Sequence, residues 1–346
     1  ALILRDAVCW ENFLRETAVK RGVPSYVLQQ EGYYRRVGHD FCVEPHVVYY
    51  REFWNRLSEE EKKYGLQFAE KHLMERLGGS TEDIPYMEGH TVFLYSEKKR
   101  QFRKSDKIKI LICPHLFEED LYVCGEQIFD NNYISWLDHL GQLSTETSKY
   151  DWYIKMHPSS EYRDKIIIEK FLKRYPNITL IETETSPIQM KKEGLDVALT
   201  VYGTIAHEYA MLGITVINAG VNPHCAFDFS ITPNTKEEYD YIIENLAVLD
   251  HIIKKEEIYK FYAIHYLYYV NNDRSISDRI LNNPLLYVYL EELKARGLRR
   301  GTWMYILYME SFNKERHEKV YAGIDKIIDN MDLYRDNIFY KKDIKA

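Results

Sequence analysis

The stretch from Asp151 to Gly220 constrains the fold most, because buried-strand and helix patterns alternate along it at close spacing. Trp152–Met156 reads as a buried strand that ends in His157-Pro158-Ser159-Ser160, and a helix follows over about 161–174. Ile178–Ile181 and Val197–Val201 read as further strands. The second runs into Tyr202-Gly203-Thr204-Ile205-Ala206-His207-Glu208 and a helix, before a last strand, Thr215–Asn218. Such alternation predicts an α/β fold with a parallel sheet and right-handed crossovers. Ligands of such sheets bind beyond the carboxyl ends of the strands. Polar residues fall at those ends here: His157 and Ser159 after one strand, Gly203, Thr204 and Glu208 after another.

The remaining chain is read around that core. Ala1–Leu4 and Ser25–Gln29 form strands joined by an amphipathic helix, Glu11–Arg21, which Gly22-Val23-Pro24 stops. The second strand ends in Gln29-Gln30-Glu31-Gly32. Residues 57–77 read as a charged helix, and 97–107 as a basic, solvated connection that marks a domain boundary. Lys109–Cys113 opens the next domain, followed by a polar loop with His115, Glu118 and Glu119 and a helix over 133–141. From about 236 to 346 the pattern is helical. The division is 1–105, 106–245 and a helical extension, 246–346. The first domain holds one βαβ unit and begins inside an apolar run without an initiator Met, so upstream residues are expected to be missing.

A net charge of −7 argues against a surface that coats nucleic acid. Five scattered cysteines without a CxxC argue for a reducing compartment, and against a disulfide frame or structural zinc. No run reaches about 18 apolar residues, so no membrane span is read. The 30 tyrosines suit buried interfaces in which a ring packs while its hydroxyl keeps a partner.

The candidate residues each carry two readings. His157 precedes Pro158, which fixes an extended turn, and its ring at a strand tip can donate to a phosphate oxygen. Ser159 and Ser160 can cap the next helix, whose amides attract anions. The plain alternative is a capped helix with a surface histidine. Gly203-Thr204 offers close backbone approach, a hydroxyl and amides at a helix start. Glu208 lies on the same helix face as Thr204 and can accept from ribose hydroxyls, or it is an ordinary first-turn acid. His207 faces elsewhere and reads as structural. Glu31 can take a proton from an acceptor hydroxyl, or it is a solvated loop acid. His115, Glu118 and Glu119 either line the same cleft or form a turn.

No GxxxxGK[ST], no GxGxxG after the first strand and no GxSxG occurs in the sequence. DxD and HExxH are likewise missing from it, which disfavours a donor held through a divalent ion. The expectation is a site without metal or resident cofactor.

The ordered series of motifs resembles a family. It comprises His115-Leu116-Phe117-Glu118-Glu119, Ile128–Leu137, Trp152–Pro158, Tyr202–Glu208 and Gly213–Gly220. Together these look like bacterial capsule polysaccharide glycosyltransferases of the GT-B fold. The same histidine-proline pair and Gly-Thr/Ser-x-x-x-Glu helix start recur in Kdo transferases, polysialyltransferases and CDP-glycerol glycerophosphotransferases. The resemblance spans roughly residues 1–245 and implies two facing Rossmann-like domains. It implies phosphate contacts for His157 and Thr204, a ribose or nucleotide contact for Glu208, and a general base from the N-terminal domain. Where many relatives carry Leu-Gln-His-Gly, and polysialyltransferases an acidic pair before Gly, this chain has Leu28-Gln29-Gln30-Glu31-Gly32, so Glu31 takes that role. The implied substrates are a nucleotide-activated sugar, CMP-linked by preference, and a saccharide or lipid-linked acceptor. The implied location is the cytoplasm, with peripheral association at the inner membrane face. A CDP-glycerol transferase and a non-catalytic nucleotide-sugar-binding subunit stay open beside it.

Overall fold

The computed structural model describes residues 2–5, 14, 17–18, 20–23, 25–28, 34–37, 47–80, 93, 99–117, 128–129 and 132–268. The chain clusters into two compact units: Ala1–Ala7 with Leu14–His39 and Tyr268–Ala346, and Val8–Phe13 with Asp40–Leu267. In the first unit, β1 (Leu2–Arg5) pairs in parallel with β2 (Ser25–Leu28). β3 (Tyr34–Val37) then returns antiparallel to β2. Periodicity does not reveal β3, because two adjacent arginines, Arg35 and Arg36, fill its middle.

The second unit is built on a five-stranded parallel sheet, ordered β6-β5-β4-β7-β8. Its strands are β4 (Lys109–Ile112), β5 (Asp151–Lys155), β6 (Thr179–Ile181), β7 (Val197–Thr200) and β8 (Thr215–Asn218). β4, β5, β7 and β8 are short and almost wholly apolar on both faces, as strands covered by helices on both sides must be. The chain winds outward from β4 to β6, then crosses back to lay β7 on the other side of β4. The reversal places a crevice between the carboxyl ends of β4 and β7.

Alternation sorts the side chains onto two faces. Ile110, Ile112, Trp152, Ile154, Val197, Leu199 and Ile217 point into one core. There they meet α3 (Tyr133–Glu146), α4 (Tyr162–Arg174) and α7 (Lys236–Glu244) through Trp136, Leu140, Phe171 and Tyr239. α3 runs past Gly141, where the sequence suggested a stop. That glycine serves packing: a Cβ there would sit 2.2 Å from the Tyr175 ring. Burying the aromatic polar tips needs partners, and Trp136 Nε1 donates to Tyr239 Oη at 3.1 Å.

The opposite face carries α5 (Pro187–Lys192), α6 (Ile205–Met211) and α8 (Lys255–Tyr262), with α6 packed on β7, β8 and α8. Two helices complete it, the first missed by the sequence and the second read within two residues of its bounds. α1 (Val47–Arg56) packs on the 3-10 turn Pro223–Ala226, and α2 (Glu59–Leu77) packs on α8. Ser58 caps α2: its Oγ accepts from Glu61 N–H at 3.4 Å, while the Glu61 carboxylate accepts from Ser58 N–H at 2.8 Å. α8 continues as a π-helix, Ala263–Tyr268.

His207, His224 and His265 lie in this layer, with His207 Nδ1 3.1 Å from His224 Nε2 and Tyr50 Oη 2.7 Å from His265 Nδ1. Burial depresses all three, His224 to about 3 and His265 to about 4, and the neighbouring rings push His207 down further. They are neutral core groups, in line with the structural reading of His207.

The basic stretch near 100 is not a free linker. Phe102 is buried against Tyr153 at 4.5 Å, and the Gln101 and Phe102 amides both donate to Glu193. One aromatic among cations decided this, and the charge pattern masked it.

Candidate functional site

The carboxyl ends of β4, β5 and β7 supply the described candidates. β4 runs into Pro114-His115, and a bond from Phe117 to α4 pins that loop. The Asp164 carboxylate, at the start of α4, accepts from Phe117 N–H at 3.1 Å and from Glu161 N–H at 2.7 Å. Glu161 is therefore the residue that begins α4, and Ser159 and Ser160 do not cap it.

His115 is buried under two tyrosines, its ring 4.2 Å from Tyr202 and 5.2 Å from Tyr133. Its Nε2 accepts from Tyr202 N–H at 3.2 Å and lies 3.3 Å from Thr200 Oγ1. Thr200 Oγ1 in turn accepts from Gly203 N–H at 3.2 Å. His115 thus braces the turn that carries Gly203 and Thr204. A Cβ at Gly203 would meet Thr200 Oγ1 at 3.0 Å, so the turn admits no larger residue there without shifting. His115→Phe keeps the stacking and removes the acceptor. It should lower stability by about 1–3 kcal/mol, the penalty of an unpaired buried amide, measured by urea unfolding.

Beyond that turn, Thr204 adopts helical backbone, φ −56° and ψ −19°, and its hydroxyl does not cap α6. Among the described residues, Thr204 N–H, Ile205 N–H and Thr204 Oγ1 take no hydrogen bond. α6 has only seven residues, so these particular groups matter more than its dipole.

After β5, Ser159 N–H donates to His157 Nδ1 at 3.1 Å. A nitrogen that accepts carries no proton, so neutral His157 holds its proton on Nε2. His157 is half-buried and Ser159 exposed. β5 and β7 flank β4, and two strand spacings separate them by about 10 Å. A donor group beyond β5 and another beyond β7 thus lie on either side of β4.

Glu208 sits differently from the sequence expectation of an open helix face. It is buried, and its Oε1 accepts from Arg76 Nε of α2 at 2.9 Å. The pair is 5% exposed on both sides. Arg76 also donates to Ser80 O at 3.3 Å and lies over the Phe93 ring. Sequence reading missed Arg76 because 132 residues separate it from its partner, and no local pattern marks a pair at that range.

Cys113 and Tyr209 adjoin this cluster. Burial pushes the Cys113 thiol up to about 12 and the Tyr209 phenol well above its ordinary value, so neither ionises near neutral pH. Glu31, Glu118 and Glu119 lie outside the described residues.

A separate open depression of about 400 Å³ lies by the amino ends of β5 and β6, near Arg103, Lys107 and Asn177. Its polar groups are already bonded: Lys107 Nζ to Ser148 O at 2.7 Å, Asn177 Nδ2 to Ser144 O at 3.0 Å. It offers a ligand little.

No family model matches the chain, and no curated protein matches it in sequence. Solved structures similar to the chain include two from one protein. One is the beta Kdo 2,4 transferase of Thermosulfurimonas dismutans KpsC, at 14% identity and TM-score 0.43, covering 75% of this chain and 78% of that one. The other is the beta Kdo 2,7 transferase of the same protein, at 10% identity and TM-score 0.41, covering 77% and 90%. Likeness at this level assigns neither family nor activity.

Proposed function

We propose that the chain is a metal-independent glycosyltransferase that builds a bacterial surface or capsular polysaccharide from a nucleotide-activated sugar, CMP-linked by preference. In this reading it is a GT-B enzyme, with residues 106–245 as the donor half and 1–105 as the acceptor half. The observation that carries it is the placement of two donor sets on either side of β4. His157 Nε2–H stands after β5, and Thr204 Oγ1 with the Thr204 and Ile205 amides after β7. The ordered motif series named above supplies the chemistry.

An acceptor hydroxyl attacks the anomeric carbon as the bond from that carbon to the donor phosphate oxygen breaks. The hydroxyl proton passes to Glu31. The departing phosphate keeps the electron pair and gathers negative charge, which His157, Thr204 and the two amides stabilise. Glu208, covered by α2 and bonded to Arg76, holds α6 in place rather than touching the ribose, and Ser159 lies close to the phosphate. The acceptor is a saccharide or a lipid-linked saccharide, met at the cytoplasmic face of the membrane by peripheral association. No helix among the described residues is long and apolar enough to cross a membrane.

The test is product analysis with purified full-length protein and a panel of nucleotide sugars. A glycoside formed from one donor supports the proposal. A phosphodiester from CDP-glycerol, or binding without turnover by any donor, overturns it. Glu31→Gln should bind nucleotide as the parent does and transfer about 10² more slowly, the lower range for a lost general base. Transfer at the parent rate would move the base to Asp6, Glu118 or Glu119.

A further inference from the structure

The last α6-facing position of each central strand is polar. Trp152, Ile154 and Met156 fill the opposite core, so Lys155 shares its face with Tyr153 and points toward α6. Cys113, Thr200 and Asn218 occupy the matching places beside β4, β7 and β8, by the same alternation. Thr200 and Asn218 are engaged in hydrogen bonds. Lys155 is not.

Three cations are buried among the described residues: Arg76, Lys109 and Lys155. Arg76 has Glu208. Lys109 Nζ donates to Ser105 O at 3.1 Å and Lys107 O at 3.4 Å. Lys155 is 6% exposed, yet its ammonium makes no hydrogen bond and no ion pair within 4 Å among the described residues. Lys155 closes β5, at the carboxyl end of the sheet. Burial works against the charged form of Lys155, and Glu208, which acts on it through space in the opposite sense, is already hydrogen-bonded to Arg76. A buried ammonium without an anion is costly, and an anionic ligand removes that cost.

We infer that Lys155 is a further phosphate-binding residue, presenting its ammonium to the phosphate of a nucleotide held beyond β5 and β4. The inference rests on the donor-site reading above and adds the formal cation that reading lacks. His157 follows two residues later, so one short segment supplies a point charge and then a directional donor. Phosphate suits an ammonium because it offers charge without demanding a fixed bidentate geometry.

The test uses the full chain and three probes, CMP, cytidine and inorganic pyrophosphate, with Lys155→Met and Lys155→Arg. CMP should bind Lys155→Met about 10- to 100-fold more weakly than the parent, as one charge-assisted hydrogen bond supplies, with cytidine unchanged. Lys155→Arg should recover part of the loss. The melting temperature of Lys155→Met should equal or exceed the parent's, because an uncompensated buried charge is gone. Equal CMP affinity in parent and Lys155→Met overturns the role of Lys155 and leaves the donor-site reading intact. Stabilisation of the parent by pyrophosphate, lost in Lys155→Met, in a protein that binds no nucleotide would keep Lys155 and overturn the donor-site reading. Silence of the parent to all three probes overturns both. Should Lys155→Met not fold, reductive methylation of the parent decides: pyrophosphate should protect Lys155, and equal labelling with and without it overturns the inference.

Discussion

Replacing His157 by Ala is expected to slow sugar transfer by about 10²–10³ and to weaken nucleotide binding, with little change in stability. The ring is half-buried at a turn, so its loss opens no core cavity. Its Nδ1 accepts from Ser159 N–H at 3.1 Å, which leaves Nε2–H as the donating edge. A donor aimed at an oxygen that gathers charge only as the bond breaks contributes more to the transition state than to the ground state. The drop should therefore be larger in kcat than in the affinity for the free nucleotide. His157→Gln keeps a donor at similar reach and should recover part of the rate. Steady-state kinetics with the donor found in the panel checks both. Unchanged kcat and affinity in His157→Ala would remove the phosphate role from this residue and with it half of the proposed donor set.

Much of the sheet is legible in the sequence because each strand is short, apolar and closed by a polar or glycine-containing turn. Thr215–Asn218 is found where it was read, and the other strands of the sheet shift by one residue at one end or, for β5, at both. What alternation cannot supply is the partner of a buried charge. Glu208 reads as a first-turn acid on a helix face, and only the packing of α2 shows that the face is covered. Lys155 likewise reads as the end of a strand. Its significance needs the knowledge that Cys113 and α6 enclose it and that Arg76 already has Glu208. The brace on the Gly203 turn was equally hidden. His115 was weighed with Glu118 and Glu119 as a cleft residue, yet its ring nitrogen holds the backbone of a turn 87 residues away. The histidine-proline and glycine-threonine pairs could be read locally because a strand tip fixes their surroundings within a few residues.

Arg76→Met tests the part of the site that sequence could not reveal, and it should destabilise the protein by about 3–5 kcal/mol at neutral pH. Methionine fills much of the arginine stem's volume, so lost packing against Phe93 is a minor part of the effect. The major part is the Glu208 carboxylate, left 4% exposed with its one hydrogen-bonded cation removed. Lys155 is the remaining positive group that acts near it, and no ion pair joins them within 4 Å. Adding Glu208→Gln should recover most of the stability, since it takes away the uncompensated charge rather than restoring the pair. Urea unfolding of the parent, the single variant and the double variant at neutral pH measures this. A deficit below about 1 kcal/mol at pH 7 would mean that Lys155 can replace Arg76 as the partner of Glu208. Lys155 would then be lost as a phosphate ligand whenever that exchange occurs, so nucleotide affinity in Arg76→Met would fall together with the small loss of stability.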